Sequence, residues 1–285
     1  MKDYGYAINN ATLLPAELRP DGSREIPVIF GSNGIKLYGT IMLPASASAS
    51  NPVPGAVLCH GFGADRKIME SSALLLVKKG IATIAFDLRG HGLSEGQLDG
   101  NFHDDMVDAW QVFNALPEVD SSRIGLIGHS LGAFSSILAA RRIKKPRAIV
   151  ALSCPPEVNG RIFKDPSRVV LALVGWLVTF IGKLTIRFNG MKVKVDWRKF
   201  LESWIQLKLS SALAELDECA KLFVFSASDQ LSPYNRFAQI YQEVPGPKQK
   251  MLTRGSHVTP VEAEMIRFEW IGWAVSTLKS KKAEF

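Results

Sequence analysis

The sequence predicts an α/β protein whose mostly parallel sheet is flanked by helices. From Gly55 onward, short apolar runs alternate with longer amphipathic segments, which is typical of repeated strand–helix–strand units. The apolar runs are nearly continuous, as expected for parallel strands that are buried on both faces. The alternation stops between Cys154 and Cys219, so we expect an insertion between two late strands.

The size and composition fit one large domain with an insertion. The chain has 285 residues, of which 47% are hydrophobic and 21% are charged, a balance that supports a large core and excludes disorder. We therefore predict a core formed by residues 1–154 and 217–285. Residues 155–216 are predicted to form a helical cap over that core.

The net charge of +7 does not by itself indicate an anionic partner. Many of the cations stand in short groups such as Lys78-Lys79 and Lys279–Lys282, where they complement helix C-terminal dipoles, and no nucleic-acid motif is present. Three cysteines without close spacing argue against a disulfide framework. The first residues lack the apolar stretch of a secretory signal, so we expect a cytoplasmic protein.

The elements follow in a regular order along the chain. Residues 1–24 are expected to be irregular, residues 24–44 form a predicted hairpin, and the Ser- and Pro-rich segment 45–54 is a loop. Apolar runs predict strands, and amphipathic segments predict helices between them. The predicted strands are 56–60, 81–86, 123–128, 147–153, 221–227 and 248–253, and the predicted helices lie near 65–79, 103–116, 131–144, 232–243 and 261–279.

A nucleophile motif lies between the third of these strands and its helix. Residues 128–132 read Gly-His-Ser-Leu-Gly, which matches the G-x-S-x-G turn that lifts a serine above the sheet. The tight turn needs its glycines because side chains have no room beside it. An ordinary Gly-rich turn is the alternative, but the strand before and the helix after the motif favour Ser130 as a nucleophile.

A serine nucleophile needs a general base, and histidine is the usual one. His257 follows the last predicted strand in a loop, so it should emerge at the same sheet edge as Ser130. The other four histidines, which stand in Gly-adjacent turns or at a helix start, are interpreted as structural. We therefore predict His257 as the base.

The base in turn needs an acid that fixes its tautomer. Asp229 directly follows the strand at 221–227, whereas Asp217 and Glu218 precede that strand and should lie at the opposite edge. The order serine, acid, histidine is that of the α/β hydrolases. Asp229 is therefore the predicted acid.

Backbone amides should stabilise the developing oxyanion. Leu131, directly after the nucleophile, supplies one predicted N–H donor. Phe62, in the Gly-containing turn 60–63 after the first parallel strand, supplies the other.

Five segments together resemble one enzyme superfamily: HGFGADR at 60–66, FDLRGHGLSEG at 86–96, GHSLG at 128–132, SASDQLSP at 226–233 and GSH at 255–257. With these, the chain resembles the serine hydrolases of the α/β-hydrolase superfamily. The resemblance is to small esterases and to monoacylglycerol-lipase-like and serine-aminopeptidase-like enzymes, and segment 86–96 is similar to feruloyl or cinnamoyl esterases. It implies the α/β-hydrolase fold, acyl hydrolysis, and structural roles for Asp87, Arg89 and His91.

The insertion should shape the substrate pocket. Its run 169–182 has no charged residue and is shorter than the about 20 residues of a bilayer span, so we expect a buried or lid helix. Trp176 and Phe180 within it are predicted to line an apolar acyl pocket. A basic stretch that includes Lys183, Arg187, Lys192 and Lys194 should face water or an anionic surface.

These features predict a serine carboxylesterase that acts on small-molecule esters through an acyl-enzyme. An aminopeptidase or amidase is the main alternative, although the basic insertion fits a substrate ammonium poorly, and an acyltransferase would use the same triad. A membrane-associated binding protein is the non-enzyme alternative, and peripheral lipid contact through the cap stays open. No metal and no cofactor is expected, because neither ligand spacing nor a dinucleotide motif is present. The oligomeric state is left open.

Overall fold

The computed structural model describes residues 7–8, 10–143, 146–157, 182–188 and 190–280. It confirms the α/β fold class. In chain order the strands are β1 (Ala7–Ile8), β2 (Ala11–Leu13), β3 (Glu17–Leu18), β4 (Arg24–Ser32), β5 (Ile35–Leu43), β6 (Val53–Cys59), β7 (Ala82–Phe86), β8 (Val119–His129), β9 (Ala148–Leu152), β10 (Lys183–Phe188), β11 (Met191–Asp196), β12 (Ala220–Ser226) and β13 (Lys248–Thr253).

The helices lie between these strands, as the alternation predicts. A 3-10 turn at Arg66–Met69 leads into the first of them. The helices are α1 (Glu70–Lys78), α2 (Phe102–Asn114), α3 (Leu131–Ala140), α4 (Trp197–Gln206), α5 (Leu209–Ala214), α6 (Tyr234–Glu243), α7 (Thr259–Glu262) and α8 (Glu264–Lys279).

The strand order of the large sheet creates a switch point at β6. The order is β1-β2-β4-β5-β7-β6-β8-β9-β12-β13, with β3 on β4, and the strands from β7 to β13 are parallel. The chain leaves β6 toward β7 on one side and continues through β8 on the other. Sheets of this kind bind ligands where the carboxyl ends of two such strands meet, which here are the ends of β6 and β8.

Two apolar cores cover the two faces of the parallel strands. Helices α2, α3 and α6 pack on one face, with Phe134 fully buried, and α1 and α8 pack on the other, with Trp270 fully buried. Every residue of β12 is buried. Burial on both faces explains why these strands appear in the sequence as continuous apolar runs.

Two segments differ from the expectation. The lead-in, expected to be irregular, contains β2, which extends the sheet by pairing with β4. The described part of the insertion is not wholly helical, because β10 and β11 pair as an antiparallel hairpin before α4. The hairpin is joined to the core through a bridge between Leu98 and Val195.

The predicted lid run 169–182 lies outside the described residues except for Gly182. Within the described ranges, no helix is long and apolar enough to cross a membrane. All three cysteines are buried and unpaired.

Candidate active site

Ser130 sits in a strained turn between β8 and α3. Its φ and ψ are 53° and −115°, a left-handed conformation that a non-glycine residue keeps only when its surroundings enforce it. The Ser130 N–H donates to the Leu152 carbonyl at 2.8 Å. A Cβ on Gly128 would lie 2.2 Å from the Gly132 carbonyl, and one on Gly132 would lie 2.3 Å from the Cys59 carbonyl. The two glycines thus allow the tight turn that the motif predicts.

His257 and Asp229 meet at the same edge of the sheet. The His257 Nδ1 lies 2.8 Å from Asp229 Oδ2, and the other carboxylate oxygen accepts the N–H groups of Leu231 and Ser232 at 2.9 and 2.8 Å. Burial opposes ionisation of Asp229, but the hydrogen bonds from His257 and Ser232 outweigh it and lower the pKa of the carboxyl. A carboxylate there favours the imidazole tautomer with its proton on Nδ1, which leaves Nε2 as an acceptor.

The backbone of His257 is fixed to the nucleophile turn. Its carbonyl accepts a hydrogen bond from His129 Nε2 at 3.0 Å and another from Ser153 Oγ at 2.8 Å. The rings of His129 and His257 are 5.0 Å apart. Among the described hydrogen bonds none joins the Ser130 hydroxyl to His257, and such bonds often tighten only with substrate.

Sequence reasoning did not identify Ser153 or this use of His129. Neither contact has a local signal, because each depends on where β8, β9 and the His257 loop meet in space. Burial lowers the pKa of His129 to about 4. The ring is therefore neutral near pH 7, with Nε2 acting as the donor to the His257 carbonyl.

His60 shapes the turn that contains Phe62. It is fully buried, and its Nε2 accepts the Leu88 N–H at 3.0 Å while Nδ1 lies 2.7 Å from the Gly61 carbonyl. Burial lowers the pKa of His60 to about 4. Only the neutral ring can accept one of these bonds and donate the other.

His91 binds Gly63, the last residue of the same turn. Its Nε2 accepts the Gly63 N–H at 3.2 Å, and its Nδ1 lies 3.0 Å from the Arg89 carbonyl. Burial lowers the pKa of His91 to about 3. The two neutral rings, 5.1 Å apart, therefore clamp both ends of the 60–63 turn, a structural use of the kind the sequence predicts.

Asp87 and Arg89 also make structural contacts. The Asp87 carboxylate accepts the backbone N–H of Arg66 at 2.8 Å and its guanidinium at 2.6 Å. The Arg89 guanidinium binds buried Asp105 at 2.6 Å. These ion pairs attach the segment after β7 to the 60–66 loop and to α2.

Phe62 and Leu131, the predicted oxyanion donors, line one cavity with Ser130. Leu131 is the first residue of α3, so its N–H has no acceptor within the helix. The cavity measures about 250 Å³, larger than the 150 Å³ cavity that accommodates benzene in another protein. It is lined by Phe62, Ser130, Leu131, Pro155, Trp197, Phe200, Trp204, Leu231 and Ser232.

Helix α4 supplies the aromatic wall of this cavity. Trp197, Phe200 and Trp204 recur with the three- and four-residue spacing of one helical face, a signal that sequence analysis could have used. Trp204 stacks on Phe134 with centroids 4.3 Å apart and an interplanar angle of 21°. The predicted pocket residues Trp176 and Phe180 lie outside the described residues.

Within the described ranges, no group of three or more His, Cys, Asp or Glu side chains could hold a metal ion.

Comparison with known proteins extends these findings. A family model described as the alpha/beta hydrolase family matches residues 56–267. A thiohydrolase of Aspergillus aculeatus is 30% identical over 157 residues, which cover 49% of this chain and 48% of that protein. The chain therefore matches about half the length of this relative.

Solved structures share the fold at low identity. An esterase of Butyrivibrio proteoclasticus with bound ferulic acid has a TM-score of 0.69 at 16% identity, covering 88% of this chain and 99% of that one. An acetyl xylan esterase of Thermoanaerobacterium sp. has a TM-score of 0.72 at 15% identity, covering 96% and 89%. With most of its length matched by the family model, the chain belongs to the alpha/beta hydrolase family and is a hydrolase, as the sequence predicts.

Proposed function

We propose that this hydrolase is a serine carboxylesterase with Ser130 as nucleophile, His257 as general base and Asp229 as the acid that orients it. The observation that supports this most is the 2.8 Å contact between His257 and Asp229. It lies at the sheet edge where the strained turn presents Ser130.

The proposed reaction proceeds through an acyl-enzyme. His257 Nε2 accepts the Ser130 proton as Oγ attacks the ester carbonyl, and the imidazolium is stabilised by the Asp229 carboxylate. The N–H groups of Phe62 and Leu131 stabilise the oxyanion. His257 then protonates the departing alcohol. Water attacks the acyl-enzyme in the same way, with His257 as its general base, and releases the carboxylic acid.

The cavity favours an apolar acyl group. Among the described residues that line it, none is charged, so a substrate ammonium would be desolvated there without a partner. This supports an esterase over an aminopeptidase. The insertion between β9 and β12 acts as the cap in this proposal, and α4 forms the described part of the cavity wall. Trp176 and Phe180 stay a proposal for the part of the pocket outside the described residues.

Thioester cleavage or acyl transfer is the second candidate. The relative in Aspergillus aculeatus is named a thiohydrolase, and the same serine can attack a thioester carbonyl. A cytoplasmic setting stays part of the proposal, and the three buried, unpaired thiols fit a reducing compartment.

Covalent labelling tests the proposal directly. A fluorophosphonate should modify one serine, Ser130, and Ser130→Ala should remove both the label and nearly all hydrolysis of p-nitrophenyl esters. A residual of roughly 10³ to 10⁴ over water is expected from binding and the oxyanion donors. Ser122→Ala, at an exposed site in β8, is the matched control. A label on another serine, or full turnover in the Ser130 variant, would refute the triad.

A further inference from the structure

The cap hairpin formed by β10 and β11 has two different faces. Val193 and Val195 are buried and Ile186 packs against the core. Alternate positions point the other way and are exposed. The exposed set is Thr185, Arg187, Lys192 and Lys194.

No described acidic side chain neutralises the three cations on this face. Arg187 stands directly opposite Lys192 across the two strands, a like-charge pairing that destabilises a hairpin. Lys194 is the next residue along the same face. Within the described ranges no ion pair involves any of the three, and Asp196 is instead buried as the N-terminal cap of α4. An anion bound between the cations would remove the repulsion.

The hairpin leads straight into the wall of the cavity. Trp197, the residue after β11, lines the cavity beside Ser130. At about 3.3 Å per residue, Lys194 and Lys192 lie roughly 10 and 17 Å back along the strand. The cations are therefore too far from the pocket to contact the reacting bond, but a flexible chain in the substrate could span the distance between them and the pocket.

We propose that this basic face binds the phosphate groups of an acyl thioester of coenzyme A whose acyl chain occupies the cavity. The inference rests on the proposed role of Ser130 as nucleophile, and it develops the second candidate function, thioester cleavage, by naming the substrate class. The pantetheine arm has about twelve bonds between sulfur and phosphate, as many as four residues of backbone, and extends to roughly 14 Å. That length matches the separation of cations and cavity.

The chemistry balances with water as the co-reactant. Ser130 Oγ forms the acyl ester as the carbon–sulfur bond breaks, and the thiolate takes the proton that His257 removed from Ser130. Coenzyme A leaves as the free thiol in this step, and water then hydrolyses the acyl-enzyme to the carboxylic acid and free Ser130. No electrons are transferred to an external oxidant or reductant.

An anionic membrane is the competing occupant, and the arrangement of the cations favours a discrete phosphate over it. Lipid-binding clusters usually spread four to eight Lys or Arg residues over a surface, whereas Arg187 and Lys192 stand directly opposite each other across the two strands. An opposed Arg–Lys pair suits a discrete phosphate, since both donors converge on one anion.

The arrangement predicts an effect on KM and not on kcat. At physiological salt a charge about 10 Å or more from the reacting bond is largely screened. The cations should therefore strengthen binding of the phosphorylated carrier and leave the chemical step unchanged.

The test compares three octanoyl substrates: the coenzyme A thioester, the N-acetylcysteamine thioester without phosphates, and the p-nitrophenyl ester. Of the two thioesters, the coenzyme A thioester should have the lower KM. The variant R187Q/K192Q/K194Q should raise that KM about tenfold, since each exposed charge contact contributes only several-fold. Added 0.5 M salt should have a similar effect. The control K36Q/K78Q/K79Q removes the same charge from exposed sites outside the cap and should change nothing.

Two readouts separate the possible failures. Unchanged turnover of the p-nitrophenyl ester shows that the hairpin variant is folded, and calorimetric binding of free coenzyme A does not depend on the triad. Equal KM values for the two thioesters, or coenzyme A binding that is equal in the parent and the hairpin variant, would overturn the proposal. Hairpin-dependent sedimentation with phosphatidylserine vesicles, without any change toward coenzyme A, would assign the face to membranes instead. If the parent protein binds coenzyme A but hydrolyses none of the three substrates, the esterase mechanism is refuted and the phosphate-binding face is not.

Discussion

The carboxyl edge of the parallel strands and the cap differ in how their side chains are satisfied. At the sheet edge, His60 and His91 are almost fully inaccessible, and both nitrogens of each ring are hydrogen-bonded. In the described part of the insertion, Arg187 and Lys192 face solvent, and Trp204 is only partly buried against the core. The edge therefore holds the turn beside the proposed nucleophile in one geometry, whereas we expect the insertion to shape the pocket.

The largest effect should come from the acid at the sheet edge. Asp229→Asn would favour the wrong imidazole tautomer and lower kcat by as much as about 10⁴. Asp217→Asn, an exposed carboxylate just before β12, should have little effect. Steady-state kinetics on a p-nitrophenyl ester measures both, and the reverse ranking of the two variants would exclude Asp229 as the acid.

A smaller effect should appear in the pH dependence of stability. His60 and His91 have folded pKa values of about 4 and about 3, below the ordinary 6.5, so between pH 6.5 and 4 the unfolded chain binds more protons. Their contribution is complete above pH 6.5 and is lost on acidification, by up to about 1.4 kcal/mol per pH unit for each ring.

His91→Asn should therefore flatten this acid limb while it also lowers stability at pH 8. Urea unfolding between pH 8 and 4 measures the free energy of unfolding for both proteins. Parallel curves for parent and variant would show that the pKa of His91 is not lowered in the folded chain.

The smallest effect should come from the cap. Trp204→Ala removes part of the cavity wall, so the gain in kcat/KM with each added methylene, up to about 0.8 kcal/mol in the parent, should shrink. Octanoate esters should lose several-fold more activity than acetate esters. Ile205→Ala changes the exposed neighbour on the same helix and serves as the control. Equal losses on all chain lengths would assign Trp204 to packing alone.

The sheet could be predicted from the sequence because its signals are local. The run at 248–253 matches β13 residue for residue. Ser130 directly follows β8, and Asp229 comes three residues after the end of β12. Their placement needs only the rule that parallel strands end at one edge. The insertion gives weaker signals, because the sequence predicts only a basic stretch that includes Lys183, Arg187, Lys192 and Lys194, and the pairing of β10 with β11 does not follow from that charge.

The contacts that support the triad from distant segments could not be predicted from the sequence. The donors to the His257 carbonyl come from His129 and Ser153, which are separated from it by more than a hundred residues. The stack of Trp204 on Phe134 likewise requires the insertion to fold back on α3. Such contacts leave no periodic pattern in any single stretch of the sequence.

The close approach at Gly132 has a consequence for recombining this protein with its relatives. A single added methyl group would meet the backbone carbonyls of Cys59 at 2.3 Å and His60 at 2.6 Å, so the nucleophile turn packs against the end of β6 only with glycine at this position. A chimera that takes either segment from a homologue must therefore keep that glycine. None of the residues that make this contact belongs to the insertion between β9 and β12, so we expect that exchanging the insertion as a cassette would leave the nucleophile turn intact.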